Sequence, residues 1–151
     1  MVRTSFDYRS HSRATTFLKM FALLSIGLLY LAISAGGRSA AAAGWWNSDW
    51  DYRHLITADA SGNARQDKPV EVNLNFTPLL HDQGGSGAFD PNSIRVIEID
   101  ADENVIDADV PFQFDKAGDY NATNKARGTL TFLLMGSTNA NATRRYHIYF
   151  D

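Results

Sequence analysis

The sequence predicts an all-β fold: an antiparallel β-sandwich, jelly-roll-like, preceded by a helical signal segment. Short runs that alternate apolar and polar residues recur between residues 52 and 150. Clusters of Gly, Asn, Asp and Ser separate these runs, and no amphipathic helix stands out after residue 44. A period of two with turn residues between the runs is typical of half-buried antiparallel strands.

Residues 1–43 predict an export signal. Four basic residues precede or open the apolar run: Arg3, Arg9, Arg13 and Lys19. A Leu- and Ile-rich run without charge occupies 20–34, and small residues at 39–43 offer cleavage sites. A basic flank, an apolar stretch and a small-residue site are the three parts of a secretory signal. We expect cleavage before Gly44, which leaves 44–151 as one folded module.

The alternative is a membrane anchor that stays uncleaved at residues 20–37. These 18 residues carry no charge, and about 17–25 are needed for a helix that spans a bilayer. Both interpretations predict a folded body outside the cytoplasm, secreted or at the cell surface. Membrane contact is expected only through the N-terminal segment, if it is uncleaved.

The charge of the body excludes some partners. Residues 44–151 contain 9 Lys and Arg against 16 Asp and Glu, a net charge of −7. An acidic surface repels phosphates, so we expect no nucleic-acid partner. The chain has no cysteine, which excludes disulfides, cysteine zinc sites and thiol catalysis.

The first three predicted strands differ in their patterns. Residues 52–58 alternate, and residues 70–76 do so with four apolar residues on one face: Val70, Val72, Leu74 and Phe76. In 94–100 the apolar residues change phase after Val96. A β-bulge, or burial on both faces of the strand, would explain that change.

Three further strands are predicted at 110–114, 130–134 and 146–150. Each has three apolar residues at alternate positions: Val110, Phe112 and Phe114; Leu130, Phe132 and Leu134; Tyr146, Ile148 and Phe150. Pro111 predicts an edge strand or a strand start, because proline has no N–H to donate to a sheet. The last strand ends at the penultimate residue, which favours a fragment of a longer protein.

Aromatic residues at the start of the body are a candidate ligand site. Trp45, Trp46, Trp50 and Tyr52 lie within eight residues of one another. Flat aromatic rings present apolar area on which sugar rings stack, so this cluster predicts a glycan platform. The other interpretation, which is favoured because large aromatic residues mostly serve burial, is that two of the tryptophans close the open end of the sandwich core.

An acidic stretch is a candidate calcium site, and no other cofactor is expected. Its oxygen-bearing residues are Asp100, Asp102, Asn104 and Asp107. Calcium prefers such oxygen ligands at alternating positions, but Val105 and Pro111 stand where an EF-hand loop needs Gly and Glu. A polar hairpin turn between Ile99 and Val105 explains the same residues.

We expect no catalysis within these residues. A glycosidase needs two carboxylates about 5–10 Å apart. The sequence singles out no such pair, because Glu71 is predicted on an outward strand face, Glu98 where the strand pattern changes phase, and Glu103 in a turn. His54, His81 and His147 fall in separate segments. The Gly-rich loop around Ser86 lacks the last glycine of a nucleophile elbow.

Short motifs recur in a characteristic order along the body. Trp46, Trp50, Tyr52 and Arg53 form a W-x-x-x-W-x-Y-R opener, and matching strand or hairpin segments follow at 69–74, 93–102, 110–115 and 145–150. This layout resembles an extracellular bacterial and archaeal module known only as a domain of unknown function. The chain departs from it at Glu103-Asn104, where the module carries Asp-Gly.

The resemblance implies an accessory role, because such modules commonly stand at the N-terminus of multidomain surface and carbohydrate-active proteins. We therefore expect a non-catalytic extracellular module that binds a ligand or acts as a spacer at the cell surface. Its expected partners are cell-surface glycans or other domains of a longer protein. The alternative is an accessory N-terminal piece of a secreted hydrolase or lyase whose catalytic domain is absent.

Overall fold

A computed structural model describes residues 2–8 and 45–151 of the chain. Along these residues run β1 (Val2–Tyr8), β2 (Tyr52–Asp59), β3 (Arg65–Asn75), α1 (Phe76–His81), β4 (Arg95–Ile99), β5 (Val105–Asp107), β6 (Phe112–Lys116), β7 (Arg127–Thr138) and β8 (Thr143–Phe150). The predicted apolar signal run, the cleavage site and the candidate anchor at 20–37 lie outside the described residues. Within the described part of the chain, no helix has the length and apolarity needed to cross a bilayer.

The strands form two antiparallel sheets, which confirms the predicted all-β class. The five-stranded sheet has the order β1-β2-β8-β4-β5, and the three-stranded sheet has the order β3-β7-β6. All of the strand pairs are antiparallel. All six strands expected from the sequence are present, and β5 closes the hairpin predicted after Ile99.

The main core takes side chains from both sheets. Ile56, Tyr146 and Ile148 come from the five-stranded sheet, and Leu130 and Phe132 come from the three-stranded sheet. We call the side of each sheet that faces this core its inner face. Each of these five side chains is at most 1% exposed, and such burial is the dominant favourable term in folding.

The phase change in β4 comes from burial on both faces. Val96 belongs to the main core, whereas Ile97 and Ile99 belong to a second apolar cluster on the outer face of the same sheet. In β8, likewise, Ile148 points into the main core and Tyr149 into the second cluster. A strand covered on both sides loses its simple alternation. The pairing of β4 with β5 also shifts register at Glu98 and Ile99.

The prediction that residues 70–76 form one strand was wrong at its end, and a short helix follows instead. Asn75 caps α1, since its side-chain oxygen accepts the N–H of Thr77 at 3.3 Å. Asparagine is a favoured N-cap residue, and Pro78 suits the first helical turn. Phe76 is still buried in the main core, but from the helix.

The predicted apolar face of residues 110–114 is only partly buried. Val110 is in the main core, whereas the side chain of Phe112 is 38% exposed. The strand β6 lies at the edge of its sheet, as Pro111 predicts, so no further strand covers Phe112 from that side among the described residues.

Candidate functional site

The tryptophan segment, residues 45–50, lies on the outer face of the five-stranded sheet. All three tryptophans are partly buried against Ile97, Ile99 and Tyr149. The Trp46 N–H donates to Tyr149 Oη at 2.8 Å, and the Trp45 ring meets the Tyr149 ring edge-on at 5.5 Å. Apolar packing and a hydrogen bond to Tyr149 therefore hold this segment on the sheet.

Two of the three indole N–H groups of this segment donate to backbone carbonyls. Trp50 Nε1 donates to the carbonyl of Ser93 at 2.6 Å, and Trp45 Nε1 donates to the carbonyl of Trp50 at 3.2 Å. The Trp46 and Trp50 rings lie 5.1 Å apart with a tilt of 46°. Buried indoles are normally satisfied in this way, so these contacts fix the rings in place.

A buried guanidinium lies beneath the tryptophan segment. Arg53 is 4% exposed, and its guanidinium carbon lies 4.7 Å from the Trp45 ring centroid. It donates to Glu103 Oε2 at 3.1 Å, and its Nη1 lies 3.5 Å from Nδ1 of His147. A buried charge needs a partner of opposite sign, and Glu103 supplies it from the β4–β5 turn.

The structure separates Tyr52 from the three tryptophans. Tyr52 points to the inner face, where its ring stacks on Phe150 at 5.8 Å. The proposed end-plug for the tryptophans was also misplaced: they cover the outer face of one sheet and not the open end of the main core. Tyr52 is separated from the tryptophans because side chains alternate along a strand, which puts Tyr52 and Arg53 on opposite sides of β2.

The acidic stretch forms a compact hairpin turn. Asp100 Oδ1 accepts the N–H groups of Asp102 and Asn104, and its Oδ2 accepts the Asn104 side-chain amide at 2.9 Å. The Asn104 amide holds the pKa of Asp100 below its ordinary value. Asp107 accepts the N–H of Asp109 in a separate turn.

The arrangement of this turn bears on the predicted calcium site. The Nη1 group of Arg145 donates to the carbonyls of Asp100 and Ala101, at 3.1 and 2.8 Å. A cationic side chain therefore lies against the backbone oxygens that a calcium loop would direct at the ion. Residues 45–151 contain no group of three or more His, Asp or Glu side chains placed to hold a metal.

The carboxylates and histidines considered for catalysis are dispersed. Glu71 lies on the outer face of the three-stranded sheet, and Glu103 pairs with Arg53 above the other sheet. Glu98 is buried on the inner side, where both of its oxygens accept from Arg144. His54 and His147 belong to opposite faces of the five-stranded sheet, and His81 lies at the end of α1.

The outer face of the three-stranded sheet presents a polar groove that the sequence predictions overlooked. The groove has a volume of about 510 Å³. Its outward side chains are Asn73 and Asn75 from β3, Asp115 from β6, and Arg127 and Thr129 from β7. Alternation in β3 already assigns Asn73 and Asn75 to the outer face, but only the pairing register aligns them with Thr129 and Arg127.

Hydrogen bonds hold several groove side chains in place. Thr129 Oγ1 lies 2.9 Å from Asn73 Oδ1, and Gln113 donates to Asp115 at 2.7 Å. Arg127 donates two hydrogen bonds to Asp119, at 3.0 and 2.6 Å, and these hold the pKa of Asp119 below its ordinary value. Two-point pairing of this kind restricts the guanidinium orientation.

No family model, curated protein or solved structure matches this chain. The choice between the two outer faces therefore depends on their geometry. The outer face of the five-stranded sheet is covered by the tryptophan segment, whose rings contact Tyr149 and one another. The second displays amide, hydroxyl, carboxylate and guanidinium groups along an open groove.

Proposed function

We propose that residues 44–151 form a non-catalytic, exported β-sandwich module that binds a polyhydroxylated ligand, with cell-surface glycans as the expected class. The sandwich interpretation is supported by the main core, to which both sheets contribute. A jelly-roll-like arrangement is supported by nested pairing: β2 pairs with β8, and β3 pairs with β7.

The polar groove on the three-stranded sheet carries this proposal. Asn73 and Asn75 can donate and accept, Asp115 accepts, and Arg127 donates, so together they match the hydroxyl groups of a sugar. Asn73, Asn75, Asp115 and Arg127 are exposed, so a ligand reaches them without any rearrangement of the sheet. Ligand sites commonly combine a concave surface with a few fixed polar groups.

The tryptophans have a packing role in this proposal. Their rings lie against Tyr149, against one another and against the guanidinium groups of Arg53 and Arg95. A stacking platform for sugars needs an open ring face, and these contacts occupy ring surface. The glycan platform predicted from the sequence is therefore replaced by the groove as the preferred binding surface.

A glycan array probed with the exported chain tests the proposal. We expect binding to be lost in the double variant Asn73→Ala and Thr129→Ala and retained in Asn139→Ala, which removes a similar exposed amide from the β7–β8 turn. Trp45→Ala and Trp46→Ala complete the set. Absence of binding to every glycan refutes the ligand class, and loss confined to the tryptophan variants places the ligand on the tryptophan segment instead.

A further inference from the structure

The outer edge of β2 accepts an antiparallel strand in the structure. The backbone of β1 pairs with it over seven residues without a break, from Val2 opposite Ala58 to Tyr8 opposite Tyr52. On the other side, β2 pairs with β8 over all eight of its residues without a register shift. The strand is therefore long and regular, and both of its edges are suitable for pairing.

The other sheet edges carry features that discourage further pairing. The edge strand β5 has only three residues. β6 has five residues, follows Pro111 and ends at Lys116. β3 contains Lys68 and Pro69 next to a register shift, where Asp67 has a positive φ of 44°. Short length, proline, lysine and irregularity are the usual protections of edge strands.

The strand β2 has none of these protections, and only the pairing with β1 covers its outer edge. Its sequence, YRHLITAD, contains no proline, glycine or lysine. The expected cleavage before Gly44 removes β1 together with the rest of residues 1–43. An exposed, regular edge strand is a template for pairing with another chain. We propose that, in the exported chain, this edge pairs antiparallel with the β2 edge of a second copy.

A second copy suits this edge because two β2 strands match in length and in pleat. If a twofold axis passes through Ile56, each inward-facing residue of one β2 lies opposite an inward-facing residue of the other. The inner faces of the two sheets are then continuous across the junction. The same register puts Arg53 of each copy, which keeps its bond to Glu103, opposite Asp59 of the other, just as β1 puts Asp7 opposite Arg53. Opposite charges at facing positions of antiparallel strands are favourable.

The inference depends on removal of residues 1–43 and not on the glycan proposal. Strands β2 to β8, and all of the main-core residues named above, lie within 45–151, so the processed chain keeps the three-stranded sheet and four strands of the other sheet. Mass spectrometry first establishes that the exported chain begins at or near Gly44. Light scattering coupled to gel filtration then measures its mass over a dilution series.

We expect a mass twice that of one chain, with dissociation at high dilution. Thr57→Lys adds a lysine to the outer face of β2 and should give a monomer at concentrations where the unsubstituted chain is dimeric. Gln113→Lys makes a matched change on exposed β6 and should leave the dimer intact. A synthetic peptide of residues 2–8 should compete for the edge and release monomers, whereas a scrambled peptide should not.

Two results would overturn the inference. One is a processed chain that stays monomeric at every concentration. The other is a dimer that resists both Thr57→Lys and the peptide, because its interface would then lie elsewhere. Far-UV circular dichroism of both lysine variants shows whether the sheets remain folded, so that unfolding is not mistaken for dissociation.

Discussion

Gly128 shows how one residue without a side chain shapes the three-stranded sheet. A Cβ atom at this position would lie 2.6 Å from the ring of Phe114 and still closer to the carbonyl oxygen of Asp115. The glycine thus lets the Phe114 ring pass directly over β7. Among residues 45–151, this is the glycine at which an added Cβ would come closest to another atom.

Replacing Gly128 with alanine should destabilise the fold by about 1–3 kcal/mol, because crowding forces side chains or backbone to shift. Urea unfolding followed by circular dichroism measures the change. Gly87→Ala is the control, since no heavy atom lies within 4 Å of a Cβ added there. Equal stability of the two variants would show that the Phe114 ring and the backbone at Asp115 both move aside without cost.

His54 should make stability depend on pH. Burial lowers the pKa of His54 below its ordinary value of 6.5. The unfolded chain therefore takes up a proton at a higher pH than the folded chain does. The free energy of unfolding should fall as pH drops below about 6.5, by at most about 1.4 kcal/mol per pH unit from this residue.

Urea unfolding at several pH values between about 7.5 and 5.5 checks this effect. The variant His54→Leu removes the titrating group from the inner face and should flatten the pH dependence in that window. Above the ordinary pKa, the histidine is neutral in both states and should contribute no slope. An equal slope in the variant and the unsubstituted chain would contradict the assignment.

At the scale of elements, the tryptophan segment behaves as a cover for one sheet. Trp50 contributes ring packing against Trp46 and a hydrogen bond to Ser93. The backbone N–H of Asp51 continues this attachment by donating to the Asp151 side chain at 2.8 Å. The tryptophan segment is therefore attached at several points, and each of these hydrogen bonds joins it to a residue far away in the sequence.

Trp50→Ala should lower stability by about 2–3 kcal/mol, below the roughly 3–5 kcal/mol of a fully buried tryptophan, because the ring is only partly buried. Trp50→Phe keeps most of the ring but loses the donor, and should cost about 1 kcal/mol. Thermal and urea unfolding measure both variants. If Trp50→Ala left the free energy of unfolding unchanged, the packing role would be contradicted and the tryptophans would again be candidates for an open ligand platform.

The existence of the strands was predictable at this scale, whereas the segments that pack against each strand were not. The alternation in β3 and β7 predicts an inner and an outer face, and the structure confirms both. The tryptophans and the apolar residues of β4 gave no sign of their mutual contact, since about fifty residues separate them in the chain. The end of β3 was missed because a local side-chain cap at Asn75 outweighed the alternating pattern.

At the scale of the whole molecule, one core joins the two sheets. Strands β2 and β8, from opposite ends of residues 45–151, are direct neighbours, and β4 pairs with β8 on its other side. The three-stranded sheet contributes Val72, Leu74 and Leu130 to the same core. A shared core of this kind favours unfolding as one cooperative unit.

All three tryptophans of the chain lie in residues 45–50, so tryptophan fluorescence reports on the cover of the five-stranded sheet. Far-UV circular dichroism reports on both sheets. We expect the two signals to change at the same urea concentration, since the cover packs on the central strands β8 and β4. A fluorescence transition at clearly lower urea would show that the cover detaches before the sheets unfold.

The sequence by itself determined the all-β class, the approximate strands, the polar turn after Ile99 and the acidic character of the body. These follow from local patterns, because a period of two and turn residues are properties of neighbouring positions. Only the tertiary structure decided that Tyr52 leaves the tryptophans, that Arg53 is buried beneath Trp45, and that Asn73 meets Thr129 in an open groove. Such contacts depend on strand order and register, and these are settled by the joint packing of distant segments.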